Sequence, residues 1–294
     1  MPNRNIAAAF AAWLFVIIWA TGFVVARGIS GKIDPYLFLL LRFGCVLLVF
    51  SIVMLVLRLP LPDRGDQWRL MGIGALMQGL YLGPGFWAVS QGLEAGIMAL
   101  IGAMQPALTA ILAWHFFKER TSIRTILGLL IGITGVALAV SPGLGSSAAT
   151  EGVTPMVIIA AIFSIGSITA GTVMQKSSIV SVPLLSAISF QTLGAVLVML
   201  VLNLLFGQWS ATLTPTTLAY LAYAVFVLSI GGFTLLTWLV RSGSATRASS
   251  LLLVVPPLAA VMSWWLYDES LGLVQVAGFA LALAGVLLAR SSTA

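Results

Sequence analysis

The sequence predicts an all-α membrane protein in which ten transmembrane helices form two inverted five-helix repeats. The first observation is the composition, which is 60% hydrophobic and only 7% charged. Soluble domains carry about 25% charged residues, so most of this chain requires the apolar surroundings of a bilayer. The other two observations are a set of long apolar segments and a repeat of the chain at an offset of 150 residues.

The repeat aligns the two halves of the chain without a gap. The pairs that keep their residue type include Pro106 with Pro256, Trp114 with Trp264, Glu119 with Glu269 and Gly128 with Gly278. Each copy is long enough for five helices, and an odd number of spans places the second copy upside down relative to the first. Inverted repeats are a common construction of alternating-access transporters, which bind a solute near the midplane between the repeats.

Ten segments reach the length that a spanning helix needs, which is about 20 mostly apolar residues. In the first half they are residues 6–26, 35–57, 70–90, 95–117 and 123–141. In the second half they are residues 153–174, 183–206, 217–240, 248–267 and 271–289. We interpret the first segment as a permanent span, because it is longer than a signal-peptide core and no small-residue cleavage site follows it.

The distribution of basic residues predicts the orientation. With the N-terminus in the cytoplasm, eleven Lys and Arg residues fall on the inner side, whereas only Arg27 and Lys32 fall on the outer side. This excess of positive charge inside is typical of membrane proteins, so both termini are expected in the cytoplasm. The domains are then residues 1–141, a periplasmic linker at residues 142–152, and residues 153–294, and the location is the inner membrane of a bacterial cell.

The sequence excludes several classes of function. Its basic residues stand singly between apolar runs, so we expect no nucleic-acid partner. Cys45 is the only cysteine, which leaves no intramolecular disulfide and no thiolate metal cluster. No nucleophile motif, zinc signature or phosphate-binding loop is present, so we expect no enzyme activity, cofactor or metal. The expected partners are a small amino acid-like solute and the lipid bilayer.

Polar residues within a span are costly and are therefore candidate solute contacts. Gln78 and Tyr81 lie one turn apart on the third span and share a face. Gln105 lies in the fourth span and Ser167 in the sixth. The alternatives are an interhelical hydrogen bond for each glutamine and a bond to its own helix backbone for the serine.

Charged residues within the spans are few. Arg42 lies about two turns into the second span, where it is expected to reach toward the membrane surface or to bond helix carbonyls. Pairing with a solute carboxylate is the alternative for Arg42. No Asp or Glu lies in the middle of a span, which disfavours a proton relay through buried carboxylates.

Deep aromatic residues are expected to form the apolar wall of a solute cavity: Trp13, Trp19, Phe163 and Trp238. Trp13 and Phe163 correspond at the offset of 150 residues, so both are expected to face the central axis. Aromatic walls suit apolar solute groups, and packing against lipid or the protein core is the alternative for each residue.

Prolines within the spans are expected to provide bends for gating. They are Pro84 in the third span, Pro106 in the fourth, and Pro256 and Pro257 in the ninth. A proline inside a helix leaves a carbonyl without its intrahelical partner and bends the axis, and such a carbonyl can line a cavity. A purely structural kink is the alternative.

Four segments resemble the EamA domain of the drug/metabolite transporter superfamily. They are WATGF at residues 19–23, LLRF at residues 40–43, GAMQPALTAILAWHFFKER at residues 102–120, and VVPPLAAVMSWWLYDES at residues 254–270. The resemblance implies two five-helix domains in a bacterial inner-membrane exporter of amino acids or similar metabolites. The chain is poor in acidic residues, and in this respect it most resembles the family's exporters of aromatic and neutral amino acids. An exporter of lipophilic cations or drugs is the nearest alternative, and a non-transporting scaffold or lipid-handling protein is a distant one.

Overall fold

The fold consists of helices joined by short loops in the ranges that the computed structural model describes, namely residues 3–105, 108, 123–145, 153–176, 183–232, 235, 254–269 and 271–290. The helices of the first half are α1 (Asn3–Gly28), α2 (Pro35–Val56), α3 (Arg64–Gly74), α4 (Leu80–Ser90), α5 (Ala95–Gly102) and α6 (Ile123–Gly145). Those of the second half are α7 (Pro155–Lys176), α8 (Leu184–Phe206), α9 (Pro215–Tyr223), α10 (Val255–Tyr267) and α11 (Leu273–Arg290).

Two π-helical segments interrupt the α-helical geometry. The first, Ala75–Gly79, joins α3 to α4 into one continuous helix, and the second, Ala224–Gly231, continues α9. An offset of 150 residues places Ala75 on Val225, inside the second segment. The two halves therefore carry π-helical turns at corresponding positions, although hydropathy gave no sign of them.

The helices lie where the apolar segments predicted them. Among the described residues, three helices are long and apolar enough to cross a membrane, over Pro35–Val56, Pro155–Gln175 and Leu184–Phe206. Four shorter apolar helices lie at Trp13–Gly28, Ile126–Pro142, Pro215–Gly231 and Leu273–Leu288. Part of each of the predicted fourth, eighth and ninth spans lies outside the described residues. The ten-span, N-in topology therefore stays a prediction.

The closest helix pairs join the first half of the chain to the second. In the described ranges α2 packs on α8, α4 on α7, α5 on α10, and α6 on α11. The buried core between them contains fully buried side chains from both halves, such as Phe38, Phe43 and Leu100 with Ile165 and Met199. The two halves thus share one core.

Small residues allow two pairs of helices, α3 with α8 and α6 with α11, to approach closely. A Cβ added to Gly74 on α3 would overlap the backbone of Gln191 on α8, and one added to Gly135 on α6 would overlap the backbone of Ala282 on α11. Helices in membranes associate mainly through such close packing, because lipid provides no hydrophobic drive between them.

Large apolar side chains on the outer surface of the bundle are exposed. On α2 and α8 they include Leu48, Ile52, Leu55, Val201 and Leu204. Exposed apolar patches are small on soluble monomers, so this surface is suited to lipid.

The loop between α1 and α2 is bound to the loop between α8 and α9. One carboxylate oxygen of Asp34 accepts hydrogen bonds from the backbone N–H of Tyr36 (2.9 Å) and Leu37 (3.0 Å), which caps α2. The other oxygen accepts from the N–H of Gln208 at 3.1 Å, and the Asp34 N–H donates to the Ser210 carbonyl at 2.8 Å. These bonds fix the start of α2 beside the end of α8.

Candidate solute cavity

A cavity lies between α1, α2 and the continuous α3–α4 helix. From α1 it is lined by Ile18, Trp19, Gly22, Phe23 and Ala26. The spacing of these residues places them on one helix face. The volume of the cavity is about 80 Å³, which is smaller than the roughly 300–1,000 Å³ of typical ligand sites in proteins.

The α3–α4 helix provides the longest wall of the cavity. Its lining residues are Met77, Gln78, Tyr81, Leu82, Gly85, Phe86 and Val89. The wall begins inside the first π-helical segment, whose wider turn shifts the following residues round the helix axis relative to an unbroken α-helix. The π-helical geometry therefore sets which way Gln78 and Tyr81 project. Such turns are frequent at functional sites.

Gln78 and Tyr81 bring polar groups to a mostly apolar wall. Gln78 is 3% exposed, and its side-chain Nε2 has no hydrogen-bond partner within the described ranges. Leaving a buried donor unpaired costs about 1–3 kcal/mol. Tyr81 is also buried, and its backbone carbonyl accepts a 2.5 Å hydrogen bond from the Ser164 hydroxyl on α7. This bond holds the wall against the second half of the chain.

Arg42 on α2 also lines the cavity, and it is buried rather than directed to the membrane surface. Only 5% of the residue is exposed, and its Nε donates to the Ser229 hydroxyl at 2.9 Å in the second π-helical segment. The expectation that Arg42 would reach the surface or bond helix carbonyls was wrong, because a hydroxyl of the second half meets it inside the bundle. A charged residue at the centre of a spanning helix costs about 2.5–3.5 kcal/mol on insertion scales.

The structure brings three of the predicted site residues together: Trp19, Gln78 and Tyr81. Trp13 and Phe163 lie elsewhere, since their side chains are 47% and 50% exposed and line no part of this cavity. Trp13 and Trp19 are six positions apart, which is about 120° round a helix of 3.6 residues per turn. One face of α1 therefore cannot present both residues.

Gln105 and Ser167 also lie away from the cavity lining. The Gln105 Nε2 donates to the Thr172 hydroxyl at 3.2 Å, which joins it to α7. The Ser167 hydroxyl donates to the carbonyl of Phe163 on its own helix at 2.9 Å. These are the interhelical and backbone alternatives expected for such residues. Trp238 lies outside the described residues.

The prolines occupy different places in their helices. Pro84 lies inside α4. Pro256 and Pro257 lie in the first turn of α10, where a missing N–H removes no intrahelical bond. The sequence placed these two prolines inside the ninth span, whereas the described helix begins at Val255 and they lie at its start. Pro106 lies outside the described residues, and α5 ends shortly before it at Gly102.

A cluster of polar side chains joins the two halves at one end of the bundle. We call it the clasp, and it consists of Arg27, Glu94, Tyr220, Tyr267, Glu269 and Gln275. The Arg27 Nε lies 2.6 Å from Glu269 Oε1, and the Gln275 Nε2 donates to Glu94 Oε2 at 3.1 Å. The hydroxyls of Tyr220 and Tyr267 are hydrogen-bonded at 3.0 Å, and Tyr267 donates to the Val24 carbonyl at 3.2 Å.

The clasp alters the protonation of its two carboxylates. Burial raises the pKa of Glu94, and the neighbouring charge of Glu269 raises it further, although the Gln275 hydrogen bond and Arg27 act in the opposite direction. Burial also raises the pKa of Glu269 against the lowering effects of Arg27 and of the Ala95 N–H. Both carboxyls therefore hold a proton more tightly here than in water.

The EamA-like transporter family matches this chain twice, over residues 6–141 and 155–291. This chain belongs to that family. The resemblance noted from the residues alone is thus confirmed. The EamA-like chain is therefore a transporter, and the members of its family are multi-pass membrane proteins.

Several relatives of this EamA-like chain align with it almost from end to end. The uncharacterized transporter YvbV of Bacillus subtilis is 26% identical, and the alignment covers 95% of this chain and 90% of the length of YvbV. Probable amino-acid metabolite efflux pumps of Salmonella typhimurium and Escherichia coli are 29% and 27% identical. They cover 95% and 94% of this chain and 93% and 92% of their own lengths.

The fold is also found in a known crystal structure. That structure aligns with 97% of the EamA-like chain and 96% of its own chain, with a TM-score of 0.62 and 17% sequence identity. At this identity the match establishes a shared fold alone.

Proposed function

We propose that this transporter exports aromatic and neutral amino acids, or similar small metabolites, across the inner membrane of a bacterial cell. The observation that carries the proposal is the composition of the cavity. Trp19, Phe23 and Phe86 provide an aromatic wall, and Gln78 and Tyr81 provide hydrogen-bonding groups beside it. Small-molecule sites are usually mostly apolar with a few placed polar groups, and a solute with an apolar side chain and a polar end fits this pattern.

The names of relatives support the same class of solute. The Salmonella typhimurium and Escherichia coli proteins are called probable amino-acid metabolite efflux pumps, and their alignments span nearly the whole of this chain. An amino acid or a related metabolite is therefore the first solute to test.

We infer an alternating-access mechanism between two inverted repeats, residues 1–141 and 153–294, with residues 142–152 as the linker. Loops predicted to lie outside the membrane contact one another at one end, since Ile33 pairs with Ala211 and Arg27 with Glu269. This clustering supports placing these loops on the same side of the membrane, as the predicted topology requires. In this mechanism the clasp closes the outer side, and the two π-helical segments and Pro84 are the bends that let it open.

The alternative of a lipophilic-cation exporter finds less support in the cavity. Its lining includes Arg42 and no acidic residue. A cation entering this cavity would meet a like charge at low dielectric, where repulsion is stronger than in water.

The test is counterflow of labelled phenylalanine and leucine into proteoliposomes that contain the purified protein. We expect uptake above that of empty vesicles, and no such uptake for a lipophilic cation such as tetraphenylphosphonium. Uptake equal to that of empty vesicles for every amino acid tested would refute the proposal.

The variant Gln78→Leu links any transport to this cavity. It removes the amide that lies buried in the lining, so we expect about a tenfold loss of affinity for an amino acid that it hydrogen-bonds. The matched control is Gln91→Leu, because Gln91 is exposed at the end of α4. Equal effects of the two substitutions on affinity would show that transport does not depend on this cavity.

A further inference from the structure

Arg42 is a buried cation that faces the cavity, and it forms no salt bridge with an acidic residue of the described ranges. The part of the chain that the structure describes contains one salt bridge, between Arg27 and Glu269. Of the eight acidic residues in the sequence, only Glu119 and Glu151 lie outside the described ranges. The six described acidic residues include none that pairs with Arg42. Buried charges in proteins are ordinarily paired, and within the described part of the chain Arg42 has no partner of opposite charge.

The guanidinium has hydrogen-bonding capacity left for such a partner. Its Nε is used by Ser229 on the side of the second half. The two terminal nitrogens make no hydrogen bond within the described ranges, and they are not among the fully enclosed atoms that lack a partner. The guanidinium carbon lies 5.5 Å from the centre of the Phe43 ring, which also lines the cavity. The Nε edge of the guanidinium is therefore held by Ser229, and its two terminal nitrogens are available to a ligand.

We propose that Arg42 is the counter-ion of the solute, and that the cavity selects small molecules that carry a carboxylate on an apolar body. The planar fork of an arginine matches the two oxygens of a carboxylate, and such charge-assisted pairs are about twice as strong as neutral hydrogen bonds. With the carboxylate at Arg42, the apolar body lies along the wall formed by Trp19, Phe23 and Phe86. This inference rests on the proposed export function and specifies which end of the solute is recognised.

The cavity provides weaker recognition for an ammonium group. Among the described residues no carboxylate lines it, so an amino acid's ammonium would meet the side-chain oxygens of Gln78 and Tyr81 and the aromatic faces. We therefore expect the carboxylate to be required for binding and the ammonium to contribute less.

The first test uses three ligands on the unaltered protein, measured as the shift of its thermal unfolding temperature in detergent. The ligands share a phenyl body: phenylalanine, 3-phenylpropionate without the ammonium, and phenethylamine without the carboxylate. We expect phenylalanine and 3-phenylpropionate to raise the unfolding temperature and phenethylamine to leave it unchanged. A shift with phenethylamine as large as that with 3-phenylpropionate, or no shift with any of the three, overturns the inference.

The second test assigns the carboxylate to Arg42. Arg42→Gln should weaken 3-phenylpropionate binding at least about tenfold, Arg42→Lys should restore part of it, and Arg69→Gln on the exposed face of α3 should have no effect. If Arg42→Gln does not fold, Ser229→Ala provides a milder change, because it removes only the bond that orients the guanidinium. Unchanged binding in the folded Arg42 variant, or in Ser229→Ala where that variant replaces it, contradicts the assignment.

The two proposals fail in different ways. If 3-phenylpropionate binds through Arg42 but no amino acid is transported, the amino-acid export function is wrong and the carboxylate site stands. If phenylalanine is transported while phenethylamine competes with it equally, export stands and the role of Arg42 is wrong.

Discussion

Trp19 is held in one orientation at the cavity wall. Its ring centre lies 5.4 Å from that of Phe15, with 44° between the ring planes, and Phe15 is buried in the packing between α1 and α10. Tilted aromatic pairs at this distance attract each other beyond their apolar contact. Trp19 therefore presents a fixed apolar surface to the cavity, whereas Trp13 on the same helix is largely exposed.

The substitution Trp19→Ala should weaken transport of aromatic amino acids more than transport of alanine. It removes an aromatic surface worth about 1 kcal/mol beyond area burial, so the half-saturating concentration of phenylalanine should rise about fivefold. Trp13→Ala is the matched control on the same helix and should leave that concentration unchanged. Counterflow of labelled phenylalanine measures both variants, and equal losses would place the solute elsewhere.

The sequence predicted the polar pair Gln78 and Tyr81 because helical spacing alone puts them on one face. The repeat was a poorer guide for Trp13 and Phe163. It identifies the two as corresponding residues, but it does not show whether their side chains face the cavity or the outer surface. The prediction for Arg42 was wrong because the partner of this residue, Ser229, is 187 positions away. A buried charge can be recognised in a sequence, but its tertiary partner cannot.

The helix pair α6 and α11 depends on glycine at its crossing. Gly135 lies against the backbone of Ala282, and Gly278 lies against the backbone of Ala139. The two glycines thus let the last helices of the two halves touch along their backbones. A methyl group at either position would separate the helices.

The same substitution should have opposite effects at two helical glycines. Gly135→Ala forces α6 and α11 apart, and overpacking of this kind costs about 1–3 kcal/mol. Gly166→Ala on α7 meets no atom within 4 Å, and relief of glycine's backbone freedom there should stabilise by about 0.5–1 kcal/mol. Thermal unfolding in detergent measures both, with a lower midpoint expected for the first variant and a higher one for the second. Stabilisation by Gly135→Ala would contradict this packing.

Element positions followed from hydropathy because a span needs a long apolar segment whatever its neighbours are. The details within the spans did not follow. The π-helical segments at Ala75–Gly79 and Ala224–Gly231 differ from an α-helix by a local change in hydrogen bonding that leaves the apolar composition unaltered. The prolines had the right residue type for a bend, but only the structure shows that Pro256 and Pro257 start a helix.

At the scale of the whole molecule, the clasp is the place where the two halves meet at the predicted outer side. Gly28 packs so closely on the ring of Tyr220 and the hydroxyl of Tyr267 that a Cβ there would overlap both. The Arg27–Glu269 ion pair is partly buried, so separation of the halves would expose it to water. Opening of this end would therefore also expose the carboxyls of Glu94 and Glu269 to water.

That coupling predicts a pH dependence of the clasp. Burial raises the pKa of Glu94 and Glu269 above the ordinary value of 4.5, and opening would return both pKa values toward it. The closed form then binds protons more tightly, so acidification through the raised pKa should favour closure. Above the raised pKa both forms are ionised, and well below 4.5 both are protonated, so the preference should change only between these limits.

Spin labels on Gln91→Cys and Leu273→Cys, in a Cys45→Ser background, report the opening as a distance distribution. We expect the short-distance population to grow as the pH falls from 8 to about 5, because the closed clasp retains the protons. Combining Glu94→Gln with Glu269→Gln should flatten this response, whereas Asp63→Asn, at an exposed carboxylate before α3, should preserve it. A clasp that opens on acidification, or a double variant with an unchanged response, would mean that these carboxyls do not control closure. The same argument predicts how the outer pH acts on the transporter: a more acidic outer medium would favour the state that is closed to the outside.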